Sequence, residues 1–118
     1  MVAPLVIEAF GGGGFRVGEQ RIEGSILILQ NAVRPWPVRS LSVLTPDDLS
    51  PVSRLGPLEI EVLLLGVGSA VALAPKTVRT AMFNAGVGLD VMSTPEACRM
   101  YNYLAGEGRR VAAALLAV

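Results

Sequence analysis

Two short segments could together form a ligand site at the carboxyl ends of two strands. Gly66-Val67-Gly68-Ser69 follows an apolar run, and Met92-Ser93-Thr94 lies at the end of a second one. The N–H groups of glycine turns and of helix N-termini bind anions, including nucleotide phosphates. The dinucleotide fingerprint needs a third glycine where this chain has Val71, and the next helix signal is only at Pro75. Residues 66–69, called the glycine loop below, therefore have two interpretations: a structural turn, or a site for an anion or a nucleotide.

Side chains suited to proton transfer are scarce in this chain. There is no His, the one Lys is Lys76 and the one Cys is Cys98. A nucleophilic Ser69 or Thr94 would have only Lys76 as its base, and a lysine in the first turn of a helix is usually a solvated charge. Thr94 is better explained as a helix N-cap. Cys98 is either a buried small apolar residue or a thiol activated by the helix dipole.

The same scarcity limits the cofactors. A single Cys excludes an intrachain disulfide and a zinc site of several cysteines, and the absence of His removes the commonest metal ligand. We therefore predict no catalytic residue, no metal and no cofactor. The alternative is a cryptic enzyme that uses the glycine loop.

Several residues outside the glycine loop are candidates for binding. Trp36 lies between two prolines, where an aromatic side chain either anchors a partner or closes the sheet edge as part of the core. Asn102 follows Tyr101 within a predicted helix, where its amide needs a partner; we predict a structural hydrogen bond to a neighbouring loop, with ligand contact as the alternative. Glu59 and Glu61 indicate either a carboxylate pair or, as we expect, a solvated strand end.

The last predicted strand begins with two arginines. Arg109 and Arg110 alternate, so one of them faces a helix layer and needs an acceptor. Asp90 and Glu107 are the predicted acceptors.

Composition bounds the class of protein. The chain has 118 residues, of which 52% are hydrophobic and 17% charged, which predicts a single folded domain over residues 1–118. Ten basic and ten acidic residues give a net charge of zero, so we predict no nucleic-acid binding. The longest apolar stretch, residues 62–75, contains glycines and is shorter than the roughly 20 residues of a membrane span. The first residues show no secretory or transit signal, so we expect a cytoplasmic protein without membrane insertion.

The first half of the chain is predicted to be β-rich. Strands are expected at residues 5–10, 15–17, 21–29 and 38–44, the third of them continuing through a bulge or bend at Gly24. Residues 34–37 contain two prolines and cannot form a central strand. A short helix is expected after Thr45-Pro46.

The second half is predicted to alternate strands and helices in the order βαβαβ. We predict strands at 58–65, 87–92 and 109–118, the first of them an interior parallel strand. Helices run from Pro75 to Gly86 and from Thr94 to Gly106. The alanines near the end also allow a helix, but the alternation of elements favours a strand. The expected fold is α/β, a mixed sheet with helices on its faces.

Four pieces of the second half resemble a known family. They are residues 66–68, then VGLDVMST at 87–94, ACRMYNYL at 97–104 and EGRRVAAAL at 107–115. Their order and spacing are similar to those of a small domain family of unknown function. Its members include the mitochondrial assembly factor three of respiratory complex I and an adipogenesis-associated human protein. Trp36 and the N-terminal strands fit the same family, whereas Met100 stands where relatives often carry Thr.

The resemblance implies a three-layer α/β fold with a mixed central sheet, a final strand and no established enzymatic activity. The first residues do not resemble a transit extension, so we expect a stand-alone bacterial version. No catalytic residue carries over. Gly66, Gly68, Tyr101, Asn102 and Arg109 match the family motif and are predicted surface or loop residues for binding.

We therefore predict a non-catalytic protein-interaction domain, an assembly or chaperone-like factor for complex I or another membrane complex. The expected partner is a respiratory complex subunit or an assembly factor, and the apolar content is compatible with a homodimer. The alternative function is a small-ligand domain or cryptic enzyme at the glycine loop.

Overall fold

Glycines at tight turns shape the start of the chain. A computed structural model describes residues 3–118, in which eight strands form two sheets. Strands β1 (Ile7–Gly11), β2 (Gly14–Val17) and β3 (Gln20–Glu23) form an antiparallel small sheet in that order. Gly12 and Gly13 join β1 to β2 with φ of 62° and 82°, a conformation that favours glycine in two-residue hairpins.

The predicted strand over residues 21–29 is two strands in two different sheets. Gly24 has φ of 85° and separates β3 from β4 (Ile26–Leu29), so the chain leaves the small sheet there rather than bending within one strand. Strand β4 forms a hairpin with β5 (Ala32–Pro35), the first strand of the large sheet, whose order is β5-β4-β8-β6-β7. Pro35 lies in an edge strand, as its missing N–H requires.

The predicted strand over residues 38–44 is wrong. The structure has a 3-10 turn at Leu41–Val43, then a second at Pro46–Leu49 and the short helix α1 (Ser50–Leu55). The ladder with β4 ends at Trp36, whose N–H donates to the Ser25 carbonyl, and no strand of the described chain pairs with residues 38–44. The alternation of Leu41 and Val43 also marks no buried face, because Val43 is 59% exposed.

The second half has the predicted βαβαβ order of strands and helices. Its elements are β6 (Val62–Gly66), α2 (Lys76–Ala85), β7 (Gly88–Met92), α3 (Thr94–Gly106) and β8 (Val111–Leu115). Strand β6 pairs in parallel with β7 and β8, and β8 pairs antiparallel with β4, so the large sheet is mixed and β6 is the interior parallel strand that was expected. The final segment is a strand, and all five residues of β8 are buried.

Helices and the small sheet cover the two faces of the large sheet, which confirms the three-layer α/β fold. On one face, Val52 of α1 and Val78 and Met82 of α2 belong to a core cluster with Leu63 and Leu65 of β6. On the other face, α3 and the small sheet pack together over the alternate residues of the large sheet. Within residues 3–118, no helix is both long and apolar enough to cross a membrane.

Candidate functional site

The glycine loop is fastened to the start of α3 by main-chain and side-chain hydrogen bonds. Thr94 is fully buried; its Oγ1 accepts from the Gly68 N–H at 3.0 Å and donates to the Leu116 carbonyl at 2.8 Å. The Thr94 N–H donates to the Gly68 carbonyl at 2.7 Å, and the Leu116 N–H donates to the Gly66 carbonyl at 2.9 Å. Thr94 thus joins three chain segments at the carboxyl ends of β6 and β8.

Close packing explains the two glycines of this loop. A Cβ atom at Gly66 would lie 2.9 Å from Leu115 Cδ2 and 3.0 Å from Thr94 Oγ1, so no larger residue fits without a shift. Gly68 has φ of 111°, which L-residues rarely adopt. Because the Gly68 N–H already binds Thr94, it is not a free donor for an anion.

The predicted N-cap role of Thr94 is wrong. Ser93 is the N-cap of α3, with extended backbone angles, and its Oγ accepts from the Glu96 N–H at 3.4 Å. Thr94 is the first helical residue, and its side chain faces the core instead of the helix end. Ser69 is exposed, as is Lys76 in the first turn of α2.

Trp36 belongs to the core and not to an exposed binding surface. Its side chain is 4% exposed and packs in the cluster beneath α1 and α2. Its Nε1–H donates to the Asp48 carbonyl at 2.9 Å, and its main-chain N–H donates to the Ser25 carbonyl at 2.8 Å. The core interpretation of this residue is therefore confirmed.

Tyr101 and Asn102 hold α3 against the rest of the molecule. Tyr101 is buried, and burial raises the pKa of its hydroxyl. The Asn102 Oδ1 accepts from the Ile7 N–H at 2.8 Å, and its Nδ2–H donates to the Ile7 carbonyl at 3.0 Å. The predicted structural hydrogen bond of Asn102 exists, and its partner is strand β1 rather than a loop.

Arg109 lies at the opposite end of the large sheet from the glycine loop. Its Nε–H and Nη2–H donate to the two oxygens of Glu61 at 2.7 and 2.9 Å, and the Arg110 N–H donates to Glu61 Oε1 at 3.2 Å. These bonds, led by that from Arg109, lower the pKa of Glu61 to about 2. The prediction that Arg109 or Arg110 faces a helix layer is wrong, because both are exposed and precede β8. The candidate acceptors Asp90 and Glu107 are also wrong for Arg109, because the parallel pairing of β6 with β8 brings Glu61 beside it.

Cys98 is a buried apolar residue. Burial raises the pKa of its thiol to about 12, despite its place in the first half of α3. A thiol that stays protonated at neutral pH is a poor nucleophile, so the predicted alternative of an activated Cys98 is wrong.

The structure brings together only part of the predicted set. Gly66, Gly68 and Thr94 meet at one end of the large sheet, whereas Trp36, Asn102 and Arg109 lie at three other places. The polar groups of Thr94, Trp36, Asn102 and Arg109 are bound to other parts of the chain. Across the described residues, no three His, Cys, Asp or Glu side chains are grouped to hold a metal ion.

Sequence reasoning missed the outer side of β7. Between β7 and α2 lies an open groove of about 510 Å³, lined by Arg79 and Phe83 from α2 and by Leu89 and Val91 from β7. Phe83 is 73% exposed, an unusual placement for a large aromatic residue in a helix. The available signal is Phe83 itself, a large apolar residue in the predicted helix from Pro75 to Gly86.

Comparisons with known proteins extend over almost the whole chain. An uncharacterized protein of Rhodobacter capsulatus is 38% identical over 112 residues, which are 95% of this chain and 84% of that protein. The NADH dehydrogenase (ubiquinone) 1 alpha subcomplex assembly factor 3 of Homo sapiens is 32% identical over 112 residues. These are 95% of this chain but only 60% of that relative, so the chain spans less than two thirds of it.

A solved structure and a family profile agree with these relatives. The crystal structure described as an outer membrane protein from Bartonella henselae has a TM-score of 0.91 and 34% identity, and the match covers 98% of this chain and 97% of that one. The profile of a family described as a protein of unknown function (DUF498/DUF598) matches residues 7–116. The resemblance found in the sequence is thus confirmed, and the chain belongs to the DUF498/DUF598 family.

Proposed function

We propose that this chain is a non-catalytic protein-binding domain that assists assembly of a respiratory complex. The observation that carries the proposal is the 32% identity, over 95% of this chain, with a protein named as an assembly factor of NADH dehydrogenase. The expected partner is a subunit of that complex or a second assembly factor. Residues 1–118 would act as one domain in the cytoplasm.

The internal hydrogen bonds support a binding role over a catalytic one. Thr94 and the Gly68 N–H, which could have formed an anion site, bind each other, and the Arg109 guanidinium is held by Glu61. No contact at the glycine loop favours a small ligand. Large apolar side chains remain on the surface, among them Leu58, Leu73 and Phe83, which are 87%, 84% and 73% exposed. Of these, Phe83 lines the apolar groove beside β7 together with Leu89 and Val91, and a contiguous apolar surface is typical of sites that bind other proteins.

Deletion and complementation in the native cell test this proposal. We expect deletion of the gene to reduce assembled NADH dehydrogenase on native gels and its NADH:ubiquinone activity in membranes. Re-expression of the chain restores both, and the succinate-oxidising complex serves as the unaffected control. A deletion strain with normal levels of assembled, active NADH dehydrogenase would overturn the proposal.

A further inference from the structure

Strand β7 has a free hydrogen-bonding side. It is the last strand of the large sheet within residues 3–118, with β6 as its neighbour. The Gly88 N–H donates to the Glu61 carbonyl, and the Met92 carbonyl accepts from Val67. Because main-chain groups alternate along a strand, Gly88, Asp90 and Met92 face β6. The N–H and C=O groups of Leu89 and Val91 therefore point away from the sheet.

An apolar groove runs beside this free side. Leu89 and Val91 are half-buried, and their side chains pack against the core cluster on the α2 face of the sheet. Together with Phe83 and Arg79 they line the groove of about 510 Å³. A free strand edge next to an apolar groove is the arrangement that binds extended peptides by strand addition, because the edge supplies main-chain bonds and the groove takes alternate side chains.

The opposite edge of the large sheet is protected in a way that β7 is not. Edge strand β5 carries Arg34, which is exposed, and ends at Pro35, which has no N–H to offer. Basic residues and proline on an edge prevent pairing with other chains. The sequence of β7, Gly-Leu-Asp-Val-Met, contains neither. Of the two edges of this sheet in the described chain, β7 is the one open to a further strand.

The charges beside β7 define its occupant. Asp90 is exposed and lies on the α3 face, opposite to the groove. An added strand therefore gains from a basic residue facing Asp90 and apolar residues facing the groove, where Arg79 disfavours a second basic residue. A second copy of β7 fits poorly. The antiparallel register that pairs Leu89 of each copy with Val91 of the other sets Asp90 against Asp90.

We propose that β7 binds an extended segment of a partner protein as an additional strand, with apolar residues in the groove and a basic residue opposite Asp90. This inference rests on the proposed function, because it assigns the surface at which the binding domain meets its partner.

The first experiment uses a synthetic peptide of about ten residues that alternates Val and Lys, titrated into the ¹⁵N-labelled protein. We expect the largest amide shifts, and slowed amide exchange, at Leu89 and Val91. Val91→Pro removes an N–H that the sheet does not use and should weaken binding about tenfold, as should Asp90→Arg. Tyr103→Glu, an exposed position on α3, is the matched control and should bind as the parent does. Shifts centred on β5, or full binding by folded Val91→Pro, would overturn the proposal.

The second experiment places the same variants in the deletion strain and separates the two proposals. We expect Val91→Pro and Phe83→Glu to accumulate as folded protein but to fail to restore NADH dehydrogenase, whereas Tyr103→Glu restores it. Full rescue by Val91→Pro in a strain with a clear deletion defect refutes the β7 surface and leaves the proposed function standing. A strain without a defect refutes the proposed function, and the peptide titration then decides the surface alone. A chain dimer abolished by Val91→Pro in sedimentation would show that the occupant is a second copy, against our proposal.

Discussion

The side-chain amide of Asn102 binds both main-chain polar groups of Ile7, 95 residues away in sequence. Its Oδ1 accepts from the Ile7 N–H and its Nδ2–H donates to the Ile7 carbonyl, at 2.8 and 3.0 Å. The pairing of β1 with β2 is irregular between Ile7 and Ala9. The amide therefore does for Ile7 what a neighbouring strand would do, and it ties the small sheet to α3.

Asn102→Ala should destabilise the protein by about 1 to 3 kcal/mol, because it leaves the part-buried N–H and C=O of Ile7 without this partner. Urea unfolding measures the loss, and hydrogen exchange should show faster exchange of the Ile7 amide. Asn84→Ala, at an exposed position of α2, is the matched control and should change stability by less than about 0.5 kcal/mol. Equal effects of the two substitutions would contradict the role given to Asn102.

Thr94 provides the second prediction. Thr94→Val keeps the shape of the side chain but removes the hydroxyl that binds Gly68 and Leu116, so it should cost about 2 to 4 kcal/mol of unfolding free energy. Thr94→Ser keeps the hydroxyl and loses one methyl group, which should cost less than about 1.5 kcal/mol. Denaturant unfolding of the three proteins gives the comparison. A valine variant as stable as the serine variant would show that these hydrogen bonds contribute little.

Gly66 provides the third prediction, on close packing. In Gly66→Ala the new Cβ meets Leu115 and Thr94 at about 3 Å, so the substitution should destabilise by about 1 to 3 kcal/mol. Gly106→Ala is the control: a Cβ there meets nothing within 4 Å, and alanine in a helix should stabilise by up to about 1 kcal/mol. Thermal unfolding measures the stability of both variants relative to the parent. If Gly66→Ala is as stable as the parent, the loop has room for a side chain.

Much of the second half could be predicted because its signals are local. Pro75 and Gly86 bound α2 to within a residue, and α3 runs from Thr94 to Gly106 as predicted. The hydrogen bond of Asn102 is also predictable from local sequence, because a side-chain amide within a helix needs a hydrogen-bond partner. That the partner is Ile7 depends on where the small sheet packs, which no short stretch of sequence contains.

The errors arise where the outcome depends on distant pairing. The alternation over residues 38–44 is typical of a strand, but in the described chain no other strand lies beside this segment to pair with it. The sequence predicts a bulge or bend at Gly24 within one strand, and only the position of β8 beside β4 shows that the chain changes sheets there. The sequence predicts that Arg109 or Arg110 needs an acceptor, and the partner of Arg109, Glu61, follows from the register of β6 with β8. The free side of β7 likewise depends on strand order.

The ion pair of Glu61 with Arg109 gives the last prediction, on pH. The folded protein holds the pKa of Glu61 at about 2, below the ordinary value of 4.5. The carboxylate form is thus favoured by folding, so its contribution to stability is complete above pH 4.5 and is lost as the pH falls from 4.5 to 2. In Arg109→Gln the pKa should return most of the way to 4.5, and acid should destabilise the variant less over this interval.

Carboxyl ¹³C NMR titration measures the pKa of Glu61 directly. Arg110→Gln keeps the main-chain N–H bond to Glu61 and should leave the pKa low, so a similar rise in both variants would contradict the dominant role of Arg109.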